Sequence, residues 1–173
     1  MVASKDDLVF LDDSEDGTGD AANLQPWRVL VVDDDQDVHE ATRFALAHLL
    51  ILGRPLEMLH AHSAREALEL LQREGDIAVI LLDVVMESDD AGLRTVGVIR
   101  EQLKMLNTRI ILRTGQPGQA PEADTIARYD INDYKTKSEL TQNKLFTTLT
   151  AAIRSYDQLL RLDANRQIGR AHV

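Results

Sequence analysis

The stretch Trp27-Arg28-Val29-Leu30-Val31-Val32-Asp33-Asp34-Asp35 joins a continuous apolar run to three consecutive carboxylates. Four apolar residues without polar alternation suit a parallel strand buried on both faces. Working outward, the same pattern recurs. Residues 77–82 (Ile-Ala-Val-Ile-Leu-Leu) lead into Asp83, Ile110-Ile111-Leu112 precedes Thr114, and a short fifth strand over 133–135 carries Tyr134 and is followed by Lys137. Residues 56–61 supply the second strand. Between the strands, amphipathic patterns predict helices over 38–52, 92–103 and 121–129, with a long last helix from 140 onward. The capping box Ser63-Ala64-Arg65-Glu66 opens another through Leu71. Five strands alternating with five helices predict a doubly wound α/β architecture, a parallel sheet covered on both faces.

Composition sets the outer bounds. The 173 residues carry 19 Lys and Arg against 29 Asp and Glu, a formal charge of −10, and 44% of them are hydrophobic, enough for one domain with its own core. This acidic balance argues against a nucleic-acid-binding surface, which needs clustered cations. With no cysteine, a disulfide framework, thiolate chemistry and cysteine-ligated zinc are excluded, and a cytoplasmic setting is expected. The longest apolar stretch, residues 44–52, carries His48 and is far shorter than the roughly 20 residues of a membrane span. Neither membrane insertion nor a secretory leader is expected. Asp6, Asp7, Asp12, Asp13, Glu15, Asp16 and Asp20 face one cation, Lys5, so residues 1–26 are expected to form a mobile acidic arm. The folded domain is expected over 27–158, and 159–173 would continue the last helix.

In a parallel sheet, ligands bind outside the carboxyl ends of the strands. The groups that follow the buried runs are Asp33 and Asp34, then Asp83, then Thr114, then Tyr134 and Lys137. Crowded carboxylates repel, and a hard divalent cation resolves the repulsion. Magnesium suits so small a set because it keeps several waters and takes few carboxylates. A carboxylate held on a rigid strand end, as Asp83 would be, can act as a nucleophile toward phosphorus and form an acyl phosphate. The metal, Lys137 and Thr114 would then each stabilise an oxygen of the transferred group. Any one of these residues alone reads more simply as a turn former, a helix cap or a solvated cation. The ordered combination does not.

That combination, from Arg28 to about Gln158, resembles a response-regulator receiver domain of two-component signalling. The resemblance implies a flavodoxin-like fold with strand order 2-1-3-4-5. It matches Asp33 and Asp34 to the family's acidic pair, Asp83 to its phosphoacceptor, Thr114 to its hydroxyl, Tyr134 to its switch aromatic and Lys137 to its lysine. Val85 would lend its main-chain carbonyl to the metal, Mg²⁺, for which Mn²⁺ should substitute. The partner implied is a histidine kinase or phosphotransfer protein, and the chain itself is not expected to be an enzyme in its own right. A narrower resemblance, carried by Leu81-Leu82-Asp83-Val84-Val85-Met86, Asp89-Asp90-Ala91-Gly92-Leu93, Arg113-Thr114-Gly115-Gln116-Pro117-Gly118-Gln119-Ala120-Pro121-Glu122 and Tyr129-Asp130-Ile131-Asn132-Asp133-Tyr134-Lys135, is to receivers that precede cyclic di-GMP signalling domains of the HD-GYP type. Ser138 and Glu87 stand where most receivers have proline, so the cis peptide common after the lysine is not implied.

Two rival readings remain at this level. A haloacid-dehalogenase-like phosphohydrolase also uses a strand-end Asp, Mg²⁺, Thr and Lys, but its first-strand motif is incomplete in Asp33-x-Asp35-x-Asp37 and leaves Asp83 unexplained. A degenerate receiver serving only as an interaction module is the other. An EF-hand fails because Val38 and Phe44 occupy the glycine and bidentate-acid positions. His39, His48, His60 and His62 read as surface or boundary residues, and Trp27 as a packing residue. Leu145, Leu149, Ala152, Tyr156 and Leu159 form a heptad-like stripe. Its first half is expected to pack on the sheet and its second to pair two copies into a homodimer. Val85, two residues past Asp83, and Gln116, two past Thr114, are the neighbours expected to govern water access to a phosphorylated Asp83.

Overall fold

The computed structural model describes residues 25–115, 121–139 and 141–171. Residues 1–24 of the expected acidic arm, and Gln116, lie outside them. In chain order the elements are β1 (Trp27–Val32), α1 (Gln36–Leu46), β2 (Leu50–Ile51), β3 (Arg54–Ala61), α2 (Ala64–Arg73), β4 (Ile77–Asp83), α3 (Ala91–Gly97) with a π-helical continuation over Val98–Gln102, β5 (Arg109–Thr114), α4 (Ala123–Arg128), β6 (Asp133–Thr136), a 3₁₀ turn at Lys137–Glu139, and α5 (Gln142–Ala171).

The sheet runs β2-β3-β1-β4-β5-β6. Its five long strands are parallel in the expected 2-1-3-4-5 sense, but there are six strands, not five. The sixth, β2, is antiparallel to β3 and replaces the end of the helix predicted over 38–52. Leu52 (φ 49°) and Gly53 (φ 75°) both adopt left-handed backbone between the paired residues Ile51 and Arg54, which is the two-residue turn whose twist suits a hairpin. Ile51 is buried, and its carbonyl accepts a 2.9 Å hydrogen bond from Trp27 Nε1. Trp27 is thus the packing residue expected, and its indole N–H also secures the added strand.

Alternation along the strands explains the unbroken apolar runs. Leu30, Val32, Ile80, Leu82, Ile110 and Leu112 face a core completed by Leu70, Leu71, Val96 and Ile99. Val29, Val31, Val79, Leu81 and Ile111 face a second core completed by Leu46, Leu145, Leu149 and Ile153. Both sheet faces are therefore dry, and polar groups collect at the strand ends. The capping box holds in altered form: Ser63 Oγ accepts from Glu66 N at 3.0 Å, but the Glu66 carboxylate reaches back to His62 N, also at 3.0 Å.

Helix α5 spans 30 residues. Leu145, Leu149, Ala152, Ile153 and Tyr156 are buried against the sheet, as expected for the first half of the stripe. Beyond them Leu160, Leu162 and Ile168 are exposed, and Asn107 donates to Asp163 at 2.6 Å. Among the described residues, no helix is long and apolar enough to cross a membrane.

Candidate phosphoacceptor site

Parallel register brings the carboxyl ends of β1 and β4 side by side, with Val32 opposite Leu82 and Asp83 opposite Arg113. Asp33, Asp34 and Asp83 consequently converge, each offering a carboxylate oxygen within 4.8 Å of the others. Asp33 and Asp83 are buried and Asp34 is exposed, so the cluster opens to solvent on one side. It lies in a cleft of about 310 Å³ lined by Asp34, Asp83, Val85, Thr114 and Lys137, among others. Three hard oxygen donors with one open side suit a small divalent cation that keeps part of its water.

Lys137 reaches in from the 3₁₀ turn after β6. Its Nζ donates to Asp83 Oδ2 at 3.1 Å and lies 2.9 Å from Asp33 Oδ2. Asp33 Oδ2 makes no aligned hydrogen bond, so that second contact is mainly electrostatic. Burial lowers the pKa of Lys137, but its close contacts with the Asp33 and Asp83 carboxylates outweigh it and the net shift is upward. Asp83 is shifted up as well, first by burial and next by the Asp33 charge, against the pull of Lys137. The carboxylate thus sits where its charge is least welcome without a cation.

Local bonds hold the acids in place. Asp33 Oδ1 accepts from Asp35 N at 2.9 Å, Asp35 caps α1 by accepting from Asp37 N at 2.9 Å, and Asp83 Oδ1 accepts from Val85 N at 3.3 Å. Asp35, the second acid of the incomplete haloacid-dehalogenase motif, is thereby a helix cap. Glu87, in the usual proline position, accepts from Ala64 N at 2.8 Å and ties the loop after β4 to the start of α2. No cis peptide occurs among the described residues.

Tyr134 does not line the cleft. Its ring packs against the core on the α2 and α3 side, and its buried hydroxyl has no hydrogen-bond partner among the described residues.

Three contributors escaped the sequence reading. His39 is 1% exposed, not a surface residue, and its Nε2 donates to the Asp33 carbonyl at 2.7 Å. A carbonyl only accepts, so the hydrogen is on Nε2, and Nδ1 of the neutral ring accepts from His60 Nδ1 at 2.8 Å. Burial lowers the pKa of His39, and burial followed by the charge of His39 pushes His60 down to about 4. The pairing joins α1 to β3, which no local spacing reveals. Gly92 opens α3 with its N–H on the Val84 carbonyl at 2.9 Å. A Cβ there would overlap the Asp83 carbonyl oxygen and come within 2.7 Å of Val84 Cα. Arg113, beside Thr114, is buried with Nη1 donating to Thr42 Oγ1 at 3.1 Å; its position in an apolar strand was the available signal.

The family model for the response regulator receiver domain matches residues 29–150. The chain belongs to this family, the receiving component of two-component signalling, and the haloacid-dehalogenase alternative is set aside. Over 170 residues it is 42% identical to the 3'3'-cGAMP-specific phosphodiesterase 2 of Vibrio cholerae serotype O1, a match covering 95% of this chain and 32% of that protein. The chain thus spans about a third of that relative's length. The signal receiver domain of an HD domain-containing protein from Pseudomonas fluorescens Pf-5 has the same fold (TM-score 0.67, 21% identity, 80% of this chain and 94% of that one). So does the N-terminal domain of a response regulator/sensory box/GGDEF protein from Carboxydothermus hydrogenoformans (TM-score 0.61, 20% identity, 77% and 98%).

Proposed function

We propose that Asp83 accepts a phosphoryl group from a histidine kinase or phosphotransfer protein. The observation that carries this reading is the single ammonium of Lys137 bridging Asp33 and Asp83 in a cleft of three carboxylates. An Asp83 carboxylate oxygen attacks phosphorus, the oxygen–phosphorus bond forms as the bond to the donor imidazole breaks, and the imidazole leaves with the electron pair. Asp33 or Asp34, Asp83 and the Val85 carbonyl would hold a divalent ion, Mg²⁺ or Mn²⁺, whose charge would offset that of the phosphoryl oxygens. Lys137 exchanges its Asp83 contact for one phosphoryl oxygen and Thr114 serves another. Their inward pull favours a conformer in which Tyr134 packs deeper, which biases the surface formed by α4, β6 and α5. The Tyr134 hydroxyl, without a hydrogen-bond partner among the described residues, supports this, because a buried polar group without a bond gains from a rearrangement that gives it a partner.

Acetyl phosphate or beryllofluoride with Mg²⁺ should modify the parent protein and leave Asp83→Asn unmodified. Modification that persists in Asp83→Asn, or in excess chelator, would refute the assignment. Val85 has no side-chain group to orient a hydrolytic water, so the acyl phosphate should be long-lived and Val85→Asn should shorten its lifetime severalfold. Gln116 is the competing water-positioning residue.

The exposed Leu160, Leu162 and Ile168 on α5 support a homodimer that buries them between two copies. Light scattering with and without beryllofluoride tests it, and monomers in both would end it. The 42% identity to a 3'3'-cGAMP-specific phosphodiesterase supports a setting in cytoplasmic control of cyclic dinucleotide turnover, through an output domain that the receiver regulates. Cellular cyclic dinucleotide levels should then differ between strains carrying the parent and Asp83→Asn.

A further inference from the structure

Arg113 is a buried, charged residue of β5 that apolar packing does not explain. It follows Ile110, Ile111 and Leu112, is 3% exposed, and among the described residues makes one side-chain hydrogen bond, from Nη1 to Thr42 Oγ1 at 3.1 Å. Thr42 Oγ1 itself donates to Val38 O at 2.7 Å, so it is anchored to α1. Among the described residues Arg113 Nε and Nη2 are buried without a hydrogen-bond partner, and no ion pair to Arg113 forms. Beside the guanidinium lies a cavity of about 120 Å³ bordered by Val38, Ala41 and Ala45 of α1, Leu145 of α5, and Lys137. A buried cation with open hydrogen-bonding positions costs stability and does not supply it. Guanidinium keeps its charge even when burial lowers its pKa.

Register supplies the reason for it. Arg113 is paired across the sheet with Asp83, and Val84 N donates to the Arg113 carbonyl at 3.0 Å. Side chains of register partners share a face, so the guanidinium occupies the α1 and α5 side, as Asp83 does. Asp33 and Asp83 are the carboxylates whose charges act on it, and neither is within ion-pair distance. In the resting site those two acids share Lys137. Once Lys137 serves a phosphoryl oxygen, the site carries added negative charge and the carboxylates have lost their ammonium.

We propose that Arg113 is the reserve cation of the receiver: a positioning residue that acts through Asp83 and Asp33, favouring the phosphorylated site and opposing divalent metal when no phosphoryl group is present. The inference rests on Asp83 as phosphoacceptor. Its signature is a pair of effects with opposite sign, because a fixed positive charge attracts a phosphoryl group and repels a metal ion. A residue that merely held the strand end in shape would move both in the same direction.

The experiment measures Mn²⁺ affinity by electron paramagnetic resonance and beryllofluoride affinity at saturating Mg²⁺ by ¹⁹F NMR, on the full chain. Arg113→Met should bind Mn²⁺ about fivefold more tightly and beryllofluoride about tenfold more weakly than the parent, while Arg113→Lys stays near the parent in both. If Arg113→Met does not fold, Arg113→Gln carries the same test. Unchanged affinities, or affinities that fall together, would overturn the inference. A parent that takes up no beryllofluoride would instead refute the phosphoacceptor reading, and the Mn²⁺ measurement would still decide whether Arg113 opposes the metal.

Discussion

Two buried arginines, Arg100 at the amino end of the sheet and Arg113 at its carboxyl end, are treated in opposite ways. Arg100, in the π-helical turn after α3, donates from Nε to Tyr129 O, from Nη1 to Met105 O and Thr108 O, and from Nη2 to Asp130 O, all between 2.6 and 2.9 Å. It stitches the loops before β5 and β6 to the helix, with all three of its nitrogens used. Arg113 leaves two of three nitrogens without a partner among the described residues. At the same end and on the same face Asp33 Oδ2 lacks an aligned hydrogen bond among the described residues, and Asp83 is shifted toward its neutral form. Burial at the amino end therefore builds the fold, while burial at the carboxyl end leaves polar groups that only a cation and an anion together can satisfy.

The largest effect should come from removing the satisfied arginine. Arg100→Met strands four carbonyls and should cost about 3–5 kcal/mol in denaturant unfolding. Arg113→Met, which replaces an unsatisfied charge by an apolar chain, should stay within about 1 kcal/mol of the parent. Equal losses at both positions would erase the contrast between the two ends.

Next in size is the response to metal. Magnesium at a hundred times its dissociation constant should stabilise the parent by about 2.7 kcal/mol, an effect Asp83→Asn should largely lack. In chelator at neutral pH, Asp83→Asn should be the more stable of the two. The parent's Asp83 carboxyl is shifted upward when folded, so the ionised form costs stability, and that cost fades as pH falls toward and below the ordinary value of 3.8. Thermal scans across pH check both points.

Gly92→Ala sharpens the comparison from the backbone side. Its methyl meets main-chain atoms of Asp83 and Val84, which cannot yield as a flexible side chain would. The expected cost is about 1–3 kcal/mol, with weakened Mn²⁺ binding as the site-specific readout. A neutral effect on both would mean that the loop after β4 is softer than its packing indicates.

The smallest effect belongs to the histidine pair. His60 has its pKa lowered to about 4 in the folded chain, so the unfolded chain binds the extra proton first. Stability should decline as pH falls from 6.5 toward 4, and His60→Asn should flatten that slope in metal-free protein. An unaltered slope would assign the acid sensitivity to other groups.

Residue order was enough to read the parallel sheet and the convergence of Asp33, Asp34, Asp83 and Lys137. Continuous apolar runs have one economical burial, between two helical layers, and whatever follows such a run must emerge at the strand's end. The buried half of α5 was legible for the same reason, since a stripe of helical period needs a face to cover it. Tertiary contact decided the rest. Leu52 and Gly53 turn the chain into β2 because Ile51 gains burial and the Trp27 hydrogen bond, a reward invisible to local periodicity. His39 meets His60 only because α1 lies across β3, and Gly92 is required only because α3 starts against the Asp83 peptide. Arg113 looks like an interruption of a strand until β4 and β5 come into register and set it beside Asp83. Its charge acts through a distance that the folded sheet alone defines.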